Sequence, residues 1–221
     1  LGNPPFGHSG EEAIGTFFSE GNGQWLQHYR DELDPIGLSD AQWNDLIHFE
    51  GNANTFRLLT HHFNGRRPGG FVMTYATLAS IVKYPYSSSL AGNHRKFGFF
   101  ESERSDFLKI AHELGLLQKE SPENTLCFAR HPLVYLVEAA DDICYQIMDI
   151  EDAHKLKILS TEETQRLLLS FFPEERQQKI RETLQRVTDT NEQIVYLRSC
   201  AIGCLVQECV RAFIDHEEEI L

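Results

Sequence analysis

Two short stretches of this chain carry residue types whose spacing could do chemistry. Asp141, Tyr145 and Asp149 stand at i, i+4 and i+8, with Glu138, Asp142 and Asp152 nearby. On a helix turning about 100° per residue, the first three form one narrow stripe. Such a stripe suits a hard divalent cation, because carboxylate oxygens are its natural ligands. Like charges stacked on one helix face repel one another, and a bound cation removes that repulsion. A solvated acidic face is the plain alternative. Near the start, His8 precedes Glu11 by three residues. A carboxylate there can orient an imidazole and set its proton affinity, which suits acid–base work. The alternative is a helix capped by Ser9 and Glu12, with His8 on the surface.

The elements that must position these groups read as helical nearly throughout. Glu11 to Glu20 patterns as a short helix, and Ser39 as the N-cap of a helix through Trp43, Leu46 and Ile47. Gly51-Asn52 interrupts that pattern before Phe56, Leu58 and Leu59 resume it, and Thr74 to Val82 follows as a helix. Residues 84–100 form a long irregular loop or small hairpin. Helices are predicted over Glu101 to Leu117, from His131-Pro132 to Lys157, over Thr161 to Phe172, over Pro173 to Thr188, and from Asn191 onward. On the wheel of the 131–157 helix, Leu133, Leu136, Val137, Ala140, Ile143, Cys144, Ile147 and Met148 share one side. The acids and Tyr145 take the other. Strand signals are few, so the fold class is all-α.

The chain has 221 residues, 41% hydrophobic and 24% charged, with a net charge of −13. That charge argues against broad non-specific nucleic-acid binding, which needs a positive surface. No apolar run is long enough to span a membrane. Five cysteines without a CxxC pattern support neither a zinc ribbon nor a disulfide framework, so they read as small core residues in a reducing compartment, the cytoplasm by default. His61-His62 point apart on a helix and are weak metal candidates. Arg66-Arg67 and His94-Arg95-Lys96 could meet phosphates, with loop solvation as the alternative. Arg198 is expected to pair with an acid rather than reach a nucleotide.

Three stretches resemble a known family. Leu1-Gly2-Asn3-Pro4-Pro5-Phe6-Gly7-His8-Ser9-Gly10-Glu11 is similar to the segment that directly follows the His-Asp pair of dGTPase-type HD-domain hydrolases. Phe49-Glu50-Gly51-Asn52-Ala53-Asn54 resembles the family's next marker, and Glu138-Ala139-Ala140-Asp141-Asp142-Ile143-Cys144-Tyr145 its third, in family order. The resemblance implies an all-helical HD fold over residues 1–221 as a single domain, truncated at both ends. It implies a divalent metal, Mn²⁺ or Mg²⁺, with Asp141 as one ligand and the other three before Leu1. It places Tyr145 and Asp149 against phosphate and sugar, with Asn3 and His48 as further substrate-pocket candidates. His8 and Glu11 become the groups that manage protons near the α-phosphate. The implied reaction hydrolyses a dNTP to a deoxynucleoside and tripolyphosphate. A nucleotide or single-stranded DNA effector, a homo-oligomer and no membrane association complete the expectation. Another HD phosphohydrolase chemistry, or a non-catalytic nucleotide-binding or regulatory module, are the alternatives.

Overall fold

The computed structural model describes residues 1–26, 37–65 and 68–221. Arg66 and Arg67, candidates for phosphate contact, lie outside the described residues. Among the described residues there are ten α-helices, and β pairing is limited to two isolated antiparallel bridges, Tyr86–Cys127 and Gln118–Phe128. The fold is all-α, as expected. Its contacts divide the chain into two compact units, Leu1–Val134 and Tyr135–Leu221.

The first unit holds α1 (Gly7–Ser19), α2 (Asp40–Ile47), α3 (Gly51–Thr60), α4 (Tyr75–Ser80) and α5 (Arg104–Glu113). Helix α1 begins four residues earlier than its periodicity indicates. The Gly7 N–H donates to the Pro4 carbonyl at 3.1 Å, and a Cβ on Gly10 would sit 2.0 Å from the Pro5 oxygen. Glycine at position 10 therefore lets the helix start tight against the proline turn. Ser9 and Glu12 consequently lie inside the helix and cap nothing. Ser39 caps α2 in a capping box with Gln42, as expected. Gly51-Asn52, read as an interruption, is instead the first turn of α3, because the Glu50 carboxylate accepts the Asn52 and Ala53 N–H groups at 2.6 and 3.2 Å. Helix α5 is shorter than predicted. Glu101–Glu103 forms a 3₁₀ turn before it, and Gly115, with φ 64°, turns the chain after it.

The core of this unit is aromatic. Phe56, Phe99 and Phe107 are buried, with Phe99 stacked on Phe107 at 4.4 Å. Residues 84–100 are irregular as expected, with 3₁₀ turns at Ser88–Leu90 and Gly92–His94. Within the segment the Gly98 N–H donates to Tyr86 O at 3.2 Å, and the segment is tied to residues 126–128 through Ser87 N–H to Leu126 O at 3.0 Å and Phe128 N–H to Pro85 O at 2.9 Å. Phe97 and Phe99 are buried in the core. At roughly 2 kcal/mol or more per buried phenylalanine, that burial fixes a segment which otherwise reads as a solvated loop.

The second unit contains most of α6 (Leu133–Lys155), then α7 (Thr161–Leu169), α8 (Glu174–Leu184), α9 (Thr190–Asp215) and α10 (Glu217–Ile220). Ser160 and Glu163 form a capping box on α7, and Asp189 caps α9. Helices α7 and α9 pack together, with Ile147, Leu168, Ile194, Leu197 and Ala201 in the core. The apolar side of α6 is only partly covered. Ile143 and Ile147 are buried, but Val137 and Met148 are exposed, so the wheel marks more core than the packing uses. Cys204 is buried and all five cysteines are free, yet Cys144 is exposed and is not a core residue. Among the described residues, no helix is long and apolar enough to cross a membrane.

Candidate functional site

The start of α3 organises the first unit's polar site. Glu50 is 1% exposed and accepts four donors: the Asn52 and Ala53 N–H groups, the Asn52 side-chain amide at 2.7 Å, and Lys96 Nζ at 2.8 Å. A buried carboxylate needs such partners, because leaving water costs an unpaired charge several kcal/mol. Glu11 reaches the same place from α1. Its Oε1 accepts the Gly51 N–H at 2.9 Å, and its Oε2 lies 3.5 Å from Lys96 Nζ. Burial works against the Lys96 charge, but Glu50 and Glu11 outweigh it and hold the ammonium's pKa above the ordinary lysine value. A Cβ on Gly51 would lie 2.4 Å from Asn3 Oδ1 and 2.6 Å from Glu11 Oε1, so only glycine admits both side chains there.

The N-terminal segment is thereby pinned on α3. Asn54 Nδ2 donates to the Gly2 carbonyl at 2.7 Å, and Thr55 Oγ1 donates to the Leu1 carbonyl. Asn3 is exposed and lies against Gly51. His8 stands in the first turn of α1, exposed, and no hydrogen bond links it to Glu11. His48 ends α2 as its C-cap. Its Nδ1 is buried without a hydrogen-bond partner among the described residues, and burial, then Arg95, push the imidazole's pKa down.

Beside this cluster a cavity of about 280 Å³ is lined by Gln42, Asp45, Phe49, Asn54, Arg57 and Phe100. Asp45 accepts the Glu101 N–H at 2.6 Å, but burial dominates and raises its carboxyl pKa to about 6. Arg57 meets the buried Glu103 at 2.6 Å. The partners of Lys96, Asp45 and Arg57 escaped the sequence reading. Lys96 stood in the basic cluster 94–96 and Glu50 in the second marker, but nothing local joins them across 46 residues.

In the second unit, Asp141, Tyr145 and Asp149 are all exposed on α6, and no hydrogen bond joins them. Tyr145 is 63% exposed. Two residues past Asp149, on the other side of the helix, Glu151 is buried and held by Arg198 at 2.6 Å and Lys155 at 3.0 Å, the ion pair expected of Arg198. Burial pushes the Glu151 carboxyl up, but hydrogen bonds from Lys155 and Arg198 prevail and hold it below the usual range. Among the described residues, no three His, Cys, Asp or Glu side chains gather as a metal site. The described residues therefore do not by themselves make a centre for the cation that the family resemblance implies.

No family model matches the chain. Across its whole length it is 40% identical to a deoxyguanosinetriphosphate triphosphohydrolase-like protein of Pseudomonas aeruginosa (strain LESB58), covering 48% of that protein. It is 37% identical, again over its whole length, to a protein of the same description from Synechocystis, covering 49% of it. A deoxyguanosinetriphosphate triphosphohydrolase of Serratia proteamaculans is 29% identical over the whole chain, which covers 48% of that enzyme. All-helical and matched end to end by proteins named for hydrolysis of a nucleoside triphosphate, the chain belongs to the deoxyguanosinetriphosphate triphosphohydrolase-like family. It spans about half the length of the curated relatives it matches.

Proposed function

We propose that this chain is part of a dNTP triphosphohydrolase that cleaves a dNTP to a deoxynucleoside and tripolyphosphate. One observation supports it most directly. The Gly2–Glu11 segment is pinned to α3 at several points, while His8 on that segment stays exposed, with no hydrogen bond among the described residues. An exposed imidazole on a locked backbone is preorganised for proton transfer. In the proposed step a water oxygen bonds to the α-phosphorus and the bond from that phosphorus to the 5′-oxygen breaks. Tripolyphosphate keeps the water's oxygen and one of its protons, His8 supplies the proton that the 5′-oxygen takes, and the water's other proton returns to His8. Tyr145 and Asp149 are assigned to the sugar and phosphates, and Asn3 and His48 to the edge of the substrate pocket. A divalent cation, Mn²⁺ or Mg²⁺, belongs to the proposal, with Asp141 as the ligand this chain supplies; such an ion would offset phosphate charge. The proposal also includes a homo-oligomer and a nucleotide or single-stranded DNA effector.

The test is to incubate the full-length protein with each dNTP and Mn²⁺ or Mg²⁺, and to identify the released phosphate by phosphorus NMR. Tripolyphosphate supports the proposal. Orthophosphate or pyrophosphate moves the protein to another phosphohydrolase chemistry, and no product leaves a nucleotide-binding module.

A further inference from the structure

Lys96 joins two carboxylates that come from different parts of the first unit. Its Nζ lies 2.8 Å from Glu50 Oε1 and 3.5 Å from Glu11 Oε2. The side chains of Glu50 and Glu11 are 1% and 12% exposed, and that of Lys96 is 24% exposed. Two anions share one cation, and both also accept backbone N–H groups at the first turn of α3. That turn carries the partial positive charge of a helix N-terminus, which favours both carboxylates. Glu11 stands one helical turn beyond His8 on α1, so whatever fixes Glu11 fixes the rotation of α1 and the placing of the imidazole. The hydrogen bonds of Lys96 run to Glu50 and Glu11, not to His8.

We infer, resting on His8 as the proton-handling group of the proposed reaction, that Lys96 is a positioning residue. It binds Glu11 to the Glu50-capped start of α3 and so sets where His8 stands. Without the ammonium, Glu50 is a buried anion held by neutral donors alone, and Glu11 loses the cation it pairs with among the described residues. The Glu11 carboxylate is then free to turn toward His8 at i−3.

The experiment uses the full-length protein with histidine isotopically labelled, and the His8 resonance assigned through His8→Gln. In Lys96→Met the His8 imidazole resonance moves, while those of His154 and His216 in the second unit do not. Lys96→Arg, which keeps the charge, restores it. In the same proteins kcat for dNTP hydrolysis falls on the order of 10- to 100-fold in Lys96→Met, with KM little changed, as expected when a reacting group is misplaced. Lys96→Arg recovers most of that loss. If Lys96→Met does not fold, Lys96→Gln takes its place. A His8 resonance that stays put in a folded variant overturns the inference, and so does an unchanged kcat. Absence of turnover by the unsubstituted protein counts instead against the proposed reaction, and the His8 resonance then decides the role of Lys96 alone.

Discussion

The pinned start of the first unit and the acidic stripe of α6 treat their carboxylates in opposite ways. At the start of α3, Glu11 and Glu50 are each bonded to backbone N–H groups and share Lys96. On α6, Asp141 and Asp149 are exposed and have no hydrogen bond among the described residues, while the buried Glu151, two residues past Asp149, draws in two cations. Burial decides which acids acquire partners, since water solvates the exposed ones and only protein groups can satisfy the rest. Residues that hold the fold are thus separated from residues left open to a ligand.

The largest expected effect falls on the pinned side. Glu50→Ala removes the α3 cap and leaves Lys96 with the more distant Glu11 alone, and should cost about 3–5 kcal/mol in urea unfolding. A loss below about 1 kcal/mol would place the anchoring elsewhere. On the second unit, Arg198→Ala leaves the buried Glu151 with Lys155 alone, and should cost about 2 kcal/mol at neutral pH. The folded pKa of Glu151 is depressed. Its contribution is therefore present above the unfolded glutamate pKa and is lost as pH falls through the folded value. Arg198→Ala should flatten that acid limb, and an unchanged limb would mean that Lys155 alone sets it.

Asp45 makes the opposite case, because its pKa is raised, from 3.8 to about 6. The folded protein then holds a proton that the unfolded chain has released, so stability falls as pH rises through that window. Asp45→Asn, which can still accept the Glu101 N–H, should remove this slope and stabilise the protein by up to about 3 kcal/mol above pH 6. Thermal melts across pH 4–8 test this, and parallel curves for the two proteins would contradict it. The smallest stability effect belongs to Asp141→Asn, within about 0.5 kcal/mol because the side chain is exposed. The same substitution should abolish metal-supported dNTP turnover. Loss of stability without loss of turnover would turn the comparison around.

Much of this was legible before any coordinates. The 3.6-residue period, the Ser39 cap and the scarcity of strand signals determined an all-α chain, because these depend on neighbours within a turn. The Asp141, Tyr145, Asp149 stripe follows from the same geometry, and the structure shows all three exposed on one helix. Spacing likewise put His8 and Glu11 within one turn. It could not show that Glu11 bonds to Gly51, 40 residues away, rather than to His8. Nor could it show that Lys96 answers Glu50, or that Phe97 and Phe99 draw an irregular loop into the core. Those outcomes depend on which distant segments close upon one another and on which charges lose their water as they do. Local sequence sets the faces of helices, but only the packed chain decides which faces meet and which acids must then find a cation.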